Sequence, residues 1–367
     1  MTLFRVGHAG AKRWQDAARA CVQSLSPLPP ATNVGFFYFT DHFAADAEAA
    51  LAYLKSVTGI SHWVGSVGVG VLAAGVEYFD EPAMVVMVAA LPEDGFRVFS
   101  GKSRPPAPGE LTADGGVAAH FAVVHADPQG DDVAGLIEDM AKKVASGFLV
   151  GGLSSSRGRH CQIADEVISG GLSGLVLSSE IALATRLTQG CTPLDARHLV
   201  TSCDRNILIT LDNRPALDVF IEDIGPGFAQ SLEEAGRLFN VGLPVEGSDN
   251  GDYLVRNLAG LDRRNKLVAI GDYPQQGAQL MFCRRDAASA REDLLRMLEE
   301  IRPATPPRGG LYFACVARGA NMFGEKSEEM RIIREQLGDF PLAGFFANGE
   351  ISHDRLYGYT GVLTLFL

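Results

Sequence analysis

The chain has 367 residues, of which 47% are apolar and 21% charged, with a net charge of −12. That length corresponds to about two domains, and the apolar share excludes a disordered chain. Its 32 Lys and Arg are spread along the chain, which argues against nucleic acid as the main partner, and no apolar run reaches the ~18 residues of a membrane helix.

In chain order, 13–25 has the apolar spacing of an amphipathic helix. Val34–Thr40 (VGFFYFT) reads as a buried strand, Asp46–Thr58 as a helix stopped by Gly59, His62–Leu72 as a glycine-rich strand and Ala83–Leu91 as a buried strand. After a Pro/Gly-rich linker, Gly101–Gly116, the pattern returns. Ala119–His125 is a strand, Val133 to Val144 a helix, Phe148–Ser155 (FLVGGLSS) the glycine-rich strand, and short strands are expected near Gln162–Ile168 and over Leu172–Leu177. The last sixty or so residues give a third copy. Leu311–Val316 is a strand, Met330, Ile333 and Leu337 line a helix ending at Gly338, Pro341–Ile351 (PLAGFFANGEI) is the glycine-containing strand, and Tyr359–Phe366 closes as a strand.

One unit, strand–helix–strand–strand, thus occurs three times, with W-V-G-S-V-G, F-L-V-G-G-L and L-A-G-F-F-A as matching glycine-rich strands. A different stretch lies between copies two and three. It has strands at Asn206–Leu211, Tyr253–Leu258, Lys266–Ile270 and Ala278–Cys283, helix within Leu217–Phe239, a helix capped by Asp286, and a breaker at Pro303–Gly310. The expected fold is α+β, with mixed, largely antiparallel sheets covered by helices in a layered two-domain arrangement. The boundary is expected near residue 205, giving domains 1–205 and 206–367.

Glycine makes up 41 residues, about 11% against a usual ~7%. A distinctive part falls at Gly65, Gly68, Gly70, Gly151, Gly152, Gly344 and Gly349, in or at the ends of the matching strands. Glycine inside a strand often marks close approach of a ligand or of another backbone. The six cysteines (Cys21, Cys161, Cys191, Cys203, Cys283, Cys315) form no CxxC pair and read as reduced thiols. With no signal-peptide core in Met1–Lys12, the cytoplasm is the expected compartment.

Walker, HExxH and GxSxG signatures are missing, and no two of the eight histidines have helical metal-ligand spacing. Two loops carry ligand-binding chemistry. In Gly151-Gly152-Leu153-Ser154-Ser155-Ser156-Arg157, glycines admit a close approach to backbone amides, and Ser154, Ser155 and Arg157 add donors suited to a small anion. In C-V-A-R-G, Cys315 ends a buried strand with Arg318 close behind. Asn348-Gly349-Glu350 lies opposite, toward the end of the neighbouring strand of that unit, so an Arg318–Glu350 pair is expected, either as a structural ion pair or as a ligand clamp. The expected ligand-binding set is Gly151, Gly152, Ser154, Ser155, Arg157, Cys315, Arg318, Asn348, Gly349 and Glu350, with no catalytic or metal-ligating residue. The two loops would frame a pocket at the domain interface.

The runs LYFACVARGANMFG, EEMRIIREQLG and PLAGFFANGEISHDRLYGYTGVLTLF resemble the end of the FIST (F-box and intracellular signal transduction) proteins. Cys315, Arg318, Gly344, Gly349 and Glu350 match residue by residue. VGFFYFT, WVGSVGVG and FLVGGLSSS resemble the FIST N-terminal domain more loosely. The resemblance implies a non-catalytic sensory protein that binds an amino-acid-like molecule or small anion. Its output would be a separate signalling partner such as a histidine kinase, chemoreceptor or diguanylate cyclase. Ser154, Ser155 and Arg157 would hold one polar end of the ligand and Arg318, Asn348 and Glu350 the other, so that an amino acid would set its carboxylate on arginine and its ammonium on Glu350. Some FIST members are similar to haem-containing nitric-oxide sensors that regulate histidine kinases. No cofactor is therefore expected on the main reading and a haem on the alternative, with His62, His160, His353 or Cys315 as axial ligand. A thiol-dependent enzyme using Cys315 is the remaining alternative.

Overall fold

The computed structural model describes residues 3–101, 119–245 and 253–367; most of the expected Gly101–Gly116 linker lies outside them. Two compact units are present. One combines 1–188 with 294–367, and the other is the contiguous segment 189–293. The sequence division at 205 therefore differs from the division by packing. The C-terminal copy joins the first two copies, and the stretch between copies two and three stands as an insertion.

In the first unit the threefold repeat is explicit. Each copy has a leading strand, a pair of core strands joined by a helix, a hairpin, and a closing strand. In copy one these are Phe4–Gly10, then Val34–Thr40 and His62–Gly68 around helix Ala47–Thr58, then Gly70–Ala73 with Val76–Phe79, then Ala83–Ala89. In copy two they are Phe96–Phe99, then Phe121–Ala126 and Phe148–Leu153 around helix Val133–Lys143, then Gln162–Ala164 with Glu166–Ile168, then Leu172–Leu177. In copy three they are Leu183–Gln189, then Gly309–Cys315 and Leu342–Ala347 around helix Glu328–Leu337, then Glu350–His353 with Arg355–Tyr357, then Thr360–Phe366. The core pair is parallel in every copy, and the closing strand runs antiparallel to the first core strand.

Each copy builds one sheet in the order leading, closing, first core, second core, and each sheet is completed by a hairpin from another copy. The hairpin of copy one joins the sheet of copy three, that of copy two joins copy one, and that of copy three joins copy two. This cyclic exchange ties the three six-stranded sheets into one body. It also explains why His62–Leu72 and Pro341–Ile351, each expected as one strand, are two. The chain leaves one sheet at Val69 and at Asn348 and enters the next.

Core strands lack polar alternation because both faces are covered. Phe36, Tyr38, Val123, Leu311 and Phe313 enter a central core shared by the three sheets. Phe37 and Phe39 face helices Trp14–Leu25 and Ala47–Thr58, Ala122 and Val124 face helix Val133–Lys143, and Tyr312 and Ala314 face helix Glu328–Leu337 and the end of helix Ala287–Ile301. At the centre, the equivalent residues Tyr38, His125 and Phe313 form a ring triangle with centroid separations of 5.5, 6.1 and 6.1 Å. Tyr38 Oη and His125 Nε2 are hydrogen-bonded at 3.1 Å, and burial pushes the His125 imidazole down to about 3, so it is neutral.

The aligned glycines have one structural job. Gly65, Gly151 and Gly344 lie opposite Phe37, Val124 and Tyr312 of the parallel neighbour. A Cβ on any of them would overlap that partner's carbonyl oxygen. They admit a neighbouring backbone, the second of the two alternatives that their placement in the strands left open. The leading strand Phe4–Gly10 was not legible, because Arg5, Gly7, His8 and Gly10 interrupt its apolar pattern.

The second unit is an antiparallel sheet whose strand Gln279–Arg285 pairs with both His198–Asp204 and Phe239–Pro244, closing the path through Ile207–Leu211, Leu267–Ile270 and Tyr253–Asp262 into a small barrel. Helix Ala216–Ala229 lends Leu217 and Phe220 to its core. His198 stands between two carboxylates, Nδ1 2.6 Å from Asp212 and Nε2 2.8 Å from Asp223. Burial alone would lower its pKa, but the two carboxylates outweigh burial and raise it. A raised folded-state pKa contributes stability that is complete below the unfolded value of ~6.5 and lost as pH rises through the folded value. Thermal unfolding followed from pH 6 to pH 9 should show this unit weakening with pH, and His198→Gln should flatten that contribution.

Candidate functional site

The repeat creates three equivalent corners where a first core strand ends beside the start of its own copy's hairpin. In copy one the corner is Thr40, Val71 and Ala83. Val71 is apolar, and Thr40 Oγ1 accepts from the Ala83 amide at 3.0 Å and donates to its carbonyl at 3.3 Å. In copy two it is Asp127, Gln162 and Gly171. Asp127 accepts from the amides of Gln129 at 2.9 Å and Gly170 at 3.1 Å. The Gln162 amide, oriented with its nitrogen toward the His125 carbonyl and Ser173 Oγ, accepts from the Asp127 amide at 3.0 Å. Both corners are closed by their own hydrogen bonds.

The corner of copy three is Cys315, Glu350 and Thr360. Glu350 is fully buried. Its Oε2 accepts from the Thr360 amide at 3.1 Å and hydroxyl at 2.6 Å, while Oε1 has no hydrogen bond of ordinary geometry. Burial raises its carboxyl to about 8, against the opposing pull of the hydrogen bonds from Thr360, the charge of Arg318 and the contact with the Cys315 thiol. Cys315 is 7% exposed, and burial, then the Glu350 charge, push its thiol up to about 12. It is protonated at neutral pH and lacks the thiolate that a nucleophile needs.

Arg318 is completely buried, but its partner is Glu329, which corrects the expected Arg318–Glu350 pair. Its Nε donates to Glu329 Oε1 at 2.8 Å, and Nη2 lies 2.6 Å from the same oxygen. Tyr312 Oη donates to that oxygen at 2.6 Å, the Gly319 amide to Oε2 at 3.1 Å, and the Phe323 ring lies 5.0 Å from the guanidinium carbon. Glu77, on the hairpin of copy one, accepts from the Met330 amide at 3.3 Å. Burial and then the Glu329 charge raise it to about 7. Glu329, Tyr312, Thr360 and Glu77 were not singled out in the sequence. Glu329 reads there as an ordinary first-turn acid of a helix, and Tyr312 as one apolar residue of a buried strand.

The two predicted loops do meet, and they meet within one compact unit rather than one in each domain. Gly151 and Gly152 pair with Ile351 and Glu350. The Leu153 amide donates to Gly349 O at 2.9 Å and the Asn348 amide to Leu153 O at 3.0 Å. Ser155 Oγ accepts from the Val69 amide at 2.9 Å and donates to Phe346 O, so it clasps the ends of all three second core strands. Ser154 is buried against His160 Nδ1 at 2.9 Å. Arg157 lies on the surface, held by Asp41 at 2.7 and 2.9 Å and by Asp80. Asn348 is exposed, whereas Glu350, two residues on, is buried. Gly151, Gly152, Gly349 and Ser155 are therefore framework, and Glu350, Cys315 and the Arg318 pair form the chemical centre.

The four histidine and cysteine candidates for a haem ligand stand in different surroundings. His62 and His353 have half-exposed side chains beside Asp165 and Asp354, His160 is held by Ser154, and Cys315 faces Glu350.

Comparison with known proteins places these features in a family. The FIST N domain model matches residues 33–214 and the FIST C domain model residues 216–353. Uncharacterized protein Rv0628c of Mycobacterium tuberculosis is 32% identical over 325 residues, 83% of each chain. Uncharacterized protein Mb0898c of Mycobacterium bovis is 30% identical over 342 residues, 88% of this chain and 87% of that one. FIST domains are small-ligand sensory domains of signal transduction, and no helix among the described residues is long and apolar enough to cross a membrane. With both domain models matched in order over most of its length, the chain belongs to the FIST family.

Proposed function

We propose that this protein is a small-molecule sensor whose ligand is taken at the corner of copy three, and that it reports to a separate signalling protein. One observation carries the reading. Of three corners built alike, two satisfy every buried polar side chain internally, and the third keeps a fully buried carboxyl group of which one oxygen has no N–H or O–H donor, only the Cys315 thiol lying against the group. Leaving a buried acceptor unpaired costs about 1–3 kcal/mol; a ligand donor would recover it. The corner joins strands of two sheets and contacts, through Arg318 and Glu329, the hairpin of another copy. A ligand there can bias how the sheets meet, which is the differential interaction a sensor needs. The reading keeps the protein in a reduced compartment, consistent with six free cysteines.

Native mass spectrometry of the purified protein, followed by thermal-shift screening of small metabolites, tests this. A ligand at a hundred times its Kd stabilises by about 2.7 kcal/mol. The expected result is a compound that raises the unfolding temperature of the wild type and loses its effect in Glu350→Gln. Failure of every compound to stabilise, or stabilisation unchanged by that variant, would overturn the reading.

A further inference from the structure

We infer that the head group accepted at Glu350 is an organic cation, a primary ammonium or an amidinium, and not a carboxylate. The inference rests on the sensor reading above and gives it a ligand class. It departs from the amino-acid expectation, in which an arginine would bind the ligand's carboxylate.

The positive charges offered to an anion are already engaged. Arg318 is held by Glu329, which also takes the Tyr312 hydroxyl and the Gly319 amide. Arg157 is held by Asp41 and Asp80 at the surface. A carboxylate entering here would have to displace one of these pairs and would leave a second carboxylate buried and unpaired, which is strongly unfavourable. Acceptor capacity, in contrast, is in excess. Glu350, Glu329 and Glu77 are set against the single guanidinium of Arg318, and Glu350 Oε1 has no N–H or O–H donor, the Cys315 thiol being the remaining group against this carboxyl. An N–H donor carrying positive charge supplies both missing things, a hydrogen bond and a counter-charge. A metal ion is a poor match, since the described residues contain no group of three or more His, Cys, Asp or Glu placed to hold one.

The backbone over the corner has the character of a part that opens. Tyr359 has φ +63°, a left-handed conformation that is an outlier for a bulky residue. Its amide meets the Cys315 thiol, its carbonyl takes Arg318 Nη1 at 3.5 Å, and the next amide caps Glu350. Release of this one turn uncovers Glu350 and relieves the strain together.

The test is calorimetric titration of the full chain with butylammonium, and with butyrate and glycine as the matched anion and zwitterion. The groups facing Glu350 are Cys315, Thr360 and Arg318, with Glu329 and Glu77 behind the arginine. Butylammonium should bind while butyrate does not, and Glu350→Gln should weaken it at least tenfold. Affinity should rise about tenfold per pH unit below pH about 8, because the carboxyl must shed its proton to accept the cation. Glu350-dependent binding of butyrate or glycine in place of the amine would overturn the cation class and leave the sensor reading standing. Butylammonium binding unchanged in Glu350→Gln, or no binding of butylammonium, would overturn the inference itself. If Glu350→Gln does not fold, the pH profile of the wild type decides, and a flat profile sinks the proposal.

Discussion

Gly151→Ala is expected to abolish the folded protein, and Gly65→Ala and Gly344→Ala to do the same. At each position the new methyl would occupy the place of a carbonyl oxygen on the parallel neighbour, at Val124, Phe37 and Tyr312 respectively. Backbone in the middle of a buried sheet cannot move aside as the end of a flexible side chain can, so relief would require breaking the parallel ladder. The loss should exceed the ~4–5 kcal/mol that marks exceptional single substitutions, a large fraction of the ~5–15 kcal/mol stability of an ordinary domain. Gly158→Ala is the control. Nothing lies within 4 Å of its added carbon, and its effect should stay within about 0.5 kcal/mol. Soluble yield and thermal unfolding of the four variants provide the measurement. Tolerance at any one of the three would show that the close approach is not required in that copy.

Arg318→Met is expected to destabilise the first unit by about 3–5 kcal/mol, because it leaves the Glu329 side chain buried and without its counter-charge. Arg318 is 0% and Glu329 1% exposed as side chains, so solvent cannot screen the loss. Arg318→Met combined with Glu329→Leu should recover much of the stability, since a buried ion pair replaced by apolar residues of similar size is often neutral. Tyr312, which would lose its acceptor, accounts for a remaining cost of about 1 kcal/mol. Denaturant unfolding of the two single variants and the double variant gives the coupling directly. A double variant no more stable than Arg318→Met would mean that Arg318 acts by packing on Phe323 and not by charge.

Which elements exist was largely a local matter, and so it was legible. Val34–Thr40 and Leu172–Leu177 have their expected limits. Helix Ala47–Thr58 ends at Gly59 in the left-handed conformation, and Asp286 accepts from the Ser289 amide at the start of its helix. The recurrence of the unit was legible too, because a repeated topology needs its glycine at the same step. The exchange of hairpins was not. A strand that crosses between sheets, such as His62–Leu72, keeps the same buried composition on both sides of the crossing, and composition is all that a pattern reads.

The candidate site divides along the same line. Cys315, Arg318 and Glu350 were identifiable from residue type and spacing, because charged or reactive groups beside buried strands stand out. Their partners were not, since Glu329 and Thr360 are chosen by distance in space, and Arg318 had two acids within reach along the chain. The sequence alone determined the composition of the elements, the threefold recurrence, the family and the residues that carry charge into the core. Tertiary structure alone decided that the glycines admit backbone, that both arginines are already paired, and that Glu350 keeps an oxygen with no N–H or O–H donor. The physical reason is that local conformation depends on neighbours in the chain, whereas a buried charge depends on whatever the packing brings within about 4 Å of it.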